Sequence, residues 1–285
     1  MLTWLFELLV EPLGYEFMRN AIVIGILVGV LCPVVGSYLI VQRMALLGDV
    51  IAHCVLPGLS VSFFLKIDIL IGAFSSGLLG AFLIAWIRSQ SRIKVDAAMA
   101  LTFSSFFALG VTLITVLDNK LDLDGFLFGD ILGVTSIDIY RTLVIVLAIL
   151  FVIKIFYKEL LFYTFDQTGA QAIGLPINAL YTGFMATITL TIIASMQAVG
   201  VILVISMLVG PALSAYLLVK ELHQMMMLGA IIGALDSIAG VYISYYCNLP
   251  SGPAIVLVSS CFFVLTLLCS PSQGILARSG STRRS

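Results

Sequence analysis

Apolar runs with few charges recur along the chain at 19–41, 49–65, 67–87, 97–117, 138–157, 178–196, 198–218, 225–246 and 252–269. A helix that crosses a bilayer needs about 20 such residues, and no single soluble core could bury this many. Of the 285 residues, 61% are hydrophobic and 10% charged, whereas soluble domains are roughly half apolar and a quarter charged. The chain is therefore expected to be an all-α polytopic membrane protein with eight or nine transmembrane helices. The count stays open because run 49–65 is short and carries Pro57, which suits a broken or partly re-entrant segment. Gly25 with Gly29, and Gly229 with Gly233, form two GxxxG steps of the kind that let helix backbones approach closely. With 24 glycines in the chain, either step alone says little.

Lysine and arginine orient the spans. With nine spans and the N-terminus outside, the inner segments hold Arg43, Arg88, Arg92, Lys94, Lys154, Lys158, Lys220, Arg278, Arg283 and Arg284, and the outer ones only Arg19, Lys66, Lys120 and Arg141. This arrangement divides the chain into an N-terminal interfacial segment (1–18), a transmembrane domain (19–270) and a loose cytosolic tail (271–285). Residues 1–18 lack the positive start of a signal peptide and mix Glu7, Glu11 and Glu16 with aromatic residues, as an amphipathic helix at the lipid interface does. Segment 118–138 lies outside and carries Asp118, Asp122, Asp124, Asp130 and Asp138, an acidic mouth that would concentrate cations. Its apolar middle, FLFGDILG, suits a short helix lying against the protein. Segment 158–177 lies inside, is too polar to span, and ends in Gly174 and Pro176, which is helix-stop chemistry. A short docked cytoplasmic helix is expected there.

Ionisable residues inside a span cost about 2.5–3.5 kcal/mol each on insertion scales, so the few present are candidates for function. Asp49 and His53 stand four apart at the start of the second run, hence on one helix face with Cβ atoms about 5–6 Å apart. A carboxylate and a neutral imidazole so placed can share a divalent first-row metal, although two donors do not complete a site. Waters, carbonyls or other helices must supply the rest, and such an incomplete grip suits an ion that has to be released. On spacing alone, an Asp–His hydrogen bond that only fixes helices explains the pair as well. Asp236, in mid-run within GALDSIAG, is a secondary pathway candidate, open equally to a structural hydrogen bond. His223 sits at an inner helix end where a cation suits the helix dipole, and Met225, Met226 and Met227 cover too much of the helix circumference to form a thioether track.

Several functions are excluded or disfavoured. The net charge of −1 offers no basic face for nucleic acid. Cys32, Cys54, Cys247, Cys261 and Cys269 have no metal-binding spacing. No G-x-x-x-x-G-K-[ST] phosphate loop, H-E-x-x-H or G-x-S-x-G occurs in the sequence. With two histidines far apart, the chain is expected to be a transport subunit and not an enzyme.

Four stretches in order resemble the integral-membrane permease family of ABC transporters for manganese, zinc and iron(II). They are VGSYLIVQRMALLGDVIAHCVLPGLS (35–60), FLFGDILGVTSID (126–138), FDQTGAQAIGLP (165–176), and the pair VGVILVISMLVGPALSAYLL (199–218) with YISYYCNLPSGPAIVL (242–257). The resemblance covers about residues 17–270. It implies a type II, vitamin-B12-importer-like permease in the bacterial plasma (inner) membrane, paired with a second copy of itself around a central path. It also implies a separate cytosolic ABC ATPase, where hydrolysis takes place, and an extracytoplasmic metal-binding protein that delivers the cargo. On this resemblance Asp49 and His53 match the metal path. Phe165, Asp166, Ala170, Gln171, Ala172, Gly174, Leu175 and Pro176 match the helix that couples to the ATPase. The LPSGP stretch (249–253) matches the outer entry to the last helix, near where the delivering protein docks. Asp236 departs from the family pattern, which favours a small or hydroxyl residue there.

The expected function is ATP-driven import of a divalent transition metal, with no permanently bound cofactor. A mixed oxygen and nitrogen pair without thiolates leans to Mn2+, with Zn2+ and Fe2+ open. The alternative is a stand-alone secondary transporter driven by a proton or sodium gradient, although no internal repeat of the kind common in such proteins is evident.

Overall fold

The computed structural model describes residues 10–117, 129 and 131–270. The expectations for residues before 10, for the acidic segment apart from Asp138, and for the tail 271–285 fall largely outside the described residues. The described chain is helical throughout its regular elements: α1 (Glu16–Val41), α2 (Leu47–Cys54), α3 (Leu56–Leu65), α4 (Ile69–Gln90), α5 (Val95–Val116), α6 (Ser136–Ile155), α7 (Tyr157–Phe165), α8 (Gln167–Ala172), α9 (Ile177–Val199), α10 (Val201–Leu218), α11 (Leu222–Cys247) and α12 (Ser251–Cys269). Single 3-10 turns at Pro12–Gly14 and Ile131–Gly133 complete the list. Counting α2 and α3 as one, nine described segments are long and apolar enough to cross a membrane. That resolves the open count in favour of nine. The second span runs Leu47–Leu65 and breaks at Val55, because Pro57 has no N–H to offer the His53 carbonyl one turn back.

Two compact units divide the chain. The first gathers α1, the start of α6 and α10 to α12, and the second gathers α2 to α5, the rest of α6, α7, α8 and α9 up to Met196.

In the first unit the two GxxxG steps meet each other. A Cβ on Gly25 would lie 3.1 Å from the Cβ of Ser237, one on Gly229 would lie 3.2 Å from Pro33, and one on Gly29 or Gly233 would collide with the carbonyl of the other. Each step of four up α1 is a step of four down α11, so the helices run antiparallel in a single register. Pro33 lies inside α1 and cannot donate to the Gly29 carbonyl. That carbonyl lies against Gly233, an arrangement suited to a weak Cα–H···O contact. Gly36 meets the Leu208 backbone of α10, and Gly240 meets Ile255 of α12.

Glycine also shapes the second unit. Gly58 of α3 and Gly72 of α4 each leave room for the other's carbonyl, Gly77 and Gly80 admit α2, and Gly110 of α5 seats Leu56 and Pro57. The Ser76 hydroxyl of α4 donates to the Cys54 carbonyl at 2.6 Å, satisfying an acceptor at the α2–α3 break. Large exposed side chains such as Phe82, Trp86, Leu147 and Phe151 are what lipid-facing helix surfaces carry.

Because Gly29 and Gly233 are in backbone contact, Gly29→Val or Gly233→Val is expected to force the helices apart and destabilise the fold by about 1–3 kcal/mol or more. Gly183, with nothing within 4 Å of its Cβ position, is the control: Gly183→Ala should be neutral or mildly stabilising. Melting of the detergent-solubilised protein, followed by size-exclusion chromatography, distinguishes the two cases.

Candidate functional site

Asp49 lies in the first turn of α2 and His53 in its last, so the helix alone brings them together. The His53 ring Nδ1 is 2.9 Å from the Asp49 backbone carbonyl oxygen and 3.3 Å from Asp49 Oδ1. The backbone carbonyl can only accept, so Nδ1 carries the proton and donates to it. In the neutral ring the lone pair is then on Nε2, the nitrogen left for a metal. The side chain of Asp49 is 41% exposed and that of His53 18%. Neither is sealed within the chain.

Phe103 and Phe107 of α5 close one side of His53. Their rings stack parallel at 5.9 Å and meet the imidazole edge-on at 4.8 and 5.7 Å. Sequence reading missed both. Phenylalanines four apart in an apolar span look the same whether they face lipid or a functional histidine. Among the described residues no group of three or more His, Cys, Asp or Glu side chains could hold a metal ion, so Asp49 and His53 stand as a pair of donors without a third of these types beside them. Cys54, one position on, is buried and packs at Gly80.

Asp236 lies in α11 of the first unit, 2% exposed, and its Oδ2 has no hydrogen-bond partner. Asp138 is not available as a free acid. The Thr135 hydroxyl donates to its Oδ2 at 2.6 Å and the Thr135 backbone N–H donates to the same oxygen at 3.1 Å, which is a capping arrangement at the start of α6. Ile131 of the adjoining 3-10 turn is buried.

Segment 158–177 forms two helices where one was expected. Asp166 adopts extended backbone between α7 and α8, and its Oδ1 accepts the Gly169 N–H at 2.8 Å, capping α8. At the other end Leu175 N–H donates to the Ala170 carbonyl and Gly174 N–H to that of Gln171, both at 3.1 Å. Gly174 is left-handed with φ 83°. This is the Schellman stop, with Pro176 after it. Ala170 is buried, while Phe165, Gln171, Ala172 and Ile173 are exposed, giving α8 and its flanks an uncovered, partly apolar face.

Asp236→Asn keeps the shape of the side chain and removes an ionisable group from a buried span position. The melting temperature of the purified protein is expected to hold or rise, and a fall of several degrees would reveal a partner that needs the charge.

The chain matches the ABC 3 transport family over residues 14–270. It is 41% identical over 262 residues to the manganese transport system membrane protein MntC of Listeria innocua, covering 92% of this chain and 94% of that protein. It is 38% identical over 264 residues to the chelated iron transport system membrane protein YfeD of Yersinia pestis, covering 93% and 89%. A solved structure of PsaBC from Streptococcus pneumoniae in complex with Fab superposes with a TM-score of 0.86 at 40% identity, over 96% of this chain and 99% of that one. With nine apolar spans among the described residues and a family match across nearly its whole length, the chain belongs to the ABC 3 transport family and is a multi-pass membrane permease, the transport subunit of an ABC system.

Proposed function

We propose that this permease imports a divalent transition metal, Mn2+ before Fe2+ or Zn2+, and that Asp49 and His53 form its half of the metal grip. The observation that carries this reading is the helical turn itself. It commits His53 Nδ1 to Asp49 and leaves Nε2 and an exposed carboxylate on one face. A second copy of the chain, contributing the same pair, would bring the donors to two carboxylates and two imidazoles. That set suits a first-row dication and needs no thiolate. The names of relatives, manganese transport for one and chelated iron transport for another, support the choice of cargo. Asp236 is the secondary pathway candidate in this reading, and its unpartnered Oδ2 is the feature in its favour.

A cytosolic ABC ATPase would dock on α8 through the exposed face at Phe165, Gln171, Ala172 and Ile173, with Asp166, Ala170, Gly174, Leu175 and Pro176 holding its shape. An extracytoplasmic metal-binding protein would deliver the ion at the outer end, where Asn248, left-handed with φ 51°, turns the chain through LPSGP into α12.

In proteoliposomes holding the complete complex, Asp49→Ala and His53→Ala are each expected to cut Mn2+ accumulation by on the order of 10–100-fold or more, with assembly intact. Wild-type accumulation in both would overturn the grip. Ala172→Arg, at an exposed position that the fold tolerates, should abolish transport-stimulated ATP hydrolysis. Uptake driven by a pH gradient without the ATPase would favour the secondary transporter instead.

A further inference from the structure

The second unit contains both α7–α8 and the α2 helix of Asp49 and His53, and a side-chain contact links α7 to the segment that leads into α2. Gln42 Nε2 donates to Thr164 Oγ1 at 3.2 Å, across 122 positions of sequence. Gln42 follows the last residue of α1, and Arg43 after it is left-handed with φ 58°, a conformation that is uncommon outside glycine. Met44 is buried, and its carbonyl accepts the Leu47 N–H at 2.9 Å, setting the first turn of α2. Gln42 is therefore connected to α2 by a short lead-in that bends sharply at Arg43.

Thr164 sits at the opposite kind of joint. It lies in the last turn of α7, two residues before Asp166, whose carboxylate caps α8. Leu160 and Tyr163 are buried and Thr164 half-buried, a spacing that gives α7 one inward face. Tyr181 of α9 and Arg88 near the end of α4 act on Tyr163, whose phenol burial pushes up to about 12. Leu160 and Tyr163 thus mark the buried face of α7, and Gln42 gives α7 a polar link toward the start of α2.

We propose that the Gln42–Thr164 hydrogen bond relays displacement of the α7–α8 segment to the Asp49–His53 helix, making Gln42 and Thr164 positioning residues for transport. The proposal rests on the reading of α8 as the ATPase dock and of Asp49 and His53 as the metal grip. In this proposal the two residues act through the elements they join and supply no contact to cargo or ATPase themselves. Their loss should disconnect hydrolysis from translocation and leave both partial activities in place.

The test measures Mn2+ moved per ATP hydrolysed by the complete complex in proteoliposomes. Gln42→Leu and Thr164→Val are each expected to lower that ratio roughly 3–10-fold, the scale of losing one neutral hydrogen bond, with hydrolysis itself retained. The double variant should be no worse than the weaker single, and Thr164→Ser, which keeps the hydroxyl, should restore the ratio. An unchanged ratio in either single, or losses that multiply in the double, overturns the proposal. So does failure of both singles to assemble, since that would make the contact structural. Asp49→Ala in the same vesicles separates the two readings. If it transports normally the metal grip is wrong, whatever Gln42 and Thr164 do.

Discussion

In hydrocarbon an apolar side chain gains nothing by leaving lipid for another helix, so close backbone approach has to hold the helices together. The glycine seams supply it. In the first unit, Gly29 and Gly233 lie in mutual contact with the proline-released Gly29 carbonyl between them. Helix-breaking chemistry has thereby become an interhelical contact. In the second unit, Gly72, Gly77, Gly80 and Gly110 form the slot that receives α2 and α3, and Gly58 of α3 lets it close on Gly72. The direction in which Asp49 and His53 point follows from that slot. A side chain added at any of these positions would move the helix that carries them.

The sequence made the spans legible because charge is costly in a bilayer and its absence is easy to see over 20 residues. The helix stop at Gly174 and Pro176 was legible because left-handed backbone followed by a residue without an N–H leaves few alternatives. The Asp49–His53 contact follows from a spacing of four. The partner of each GxxxG step was not legible, because glycine spacing marks a surface that can be approached without naming what approaches it. The break at Asp166 was hidden, since an aspartate inside a polar stretch reads equally well as a helix surface or a cap. Thr135 and Asp138 are a different case. Their spacing of three is a capping signature in the sequence, and it was overlooked among the neighbouring acids. Gln42 and Thr164, 122 positions apart, carry no local signal at all.

On the proposed reading, a half-site of one carboxylate and one imidazole would have consequences for selectivity. The Irving–Williams order favours Zn2+ over Mn2+ wherever the donors are free to adjust. A rigid pair that supplies few bonds cannot exploit that difference fully, and any remaining positions filled by water would favour an ion that accepts six oxygen and nitrogen ligands over one that prefers four. Weak retention is also what transport needs, because a closed tetrahedral cage would hold its ion on both sides of the membrane. Phe103 and Phe107 against the imidazole contribute no donor and limit how far the ring can turn, so they restrict geometry without adding affinity.

The Asp49–His53 turn also sits between two backbone irregularities. Arg43 reverses the chain ahead of α2, and Pro57 interrupts hydrogen bonding behind it. Between them Asp49 and His53 share a single regular turn whose internal distances, 2.9 and 3.3 Å, are set by the helix. A short helix flanked in this way can tilt as a block while its internal geometry is kept. Tilting would change what the carboxylate and Nε2 face, and would leave their spacing to each other unaltered. In the proposed metal grip, alternate exposure therefore would not require the pair to be taken apart, and the joints that permit the tilt lie outside the turn that holds Asp49 and His53.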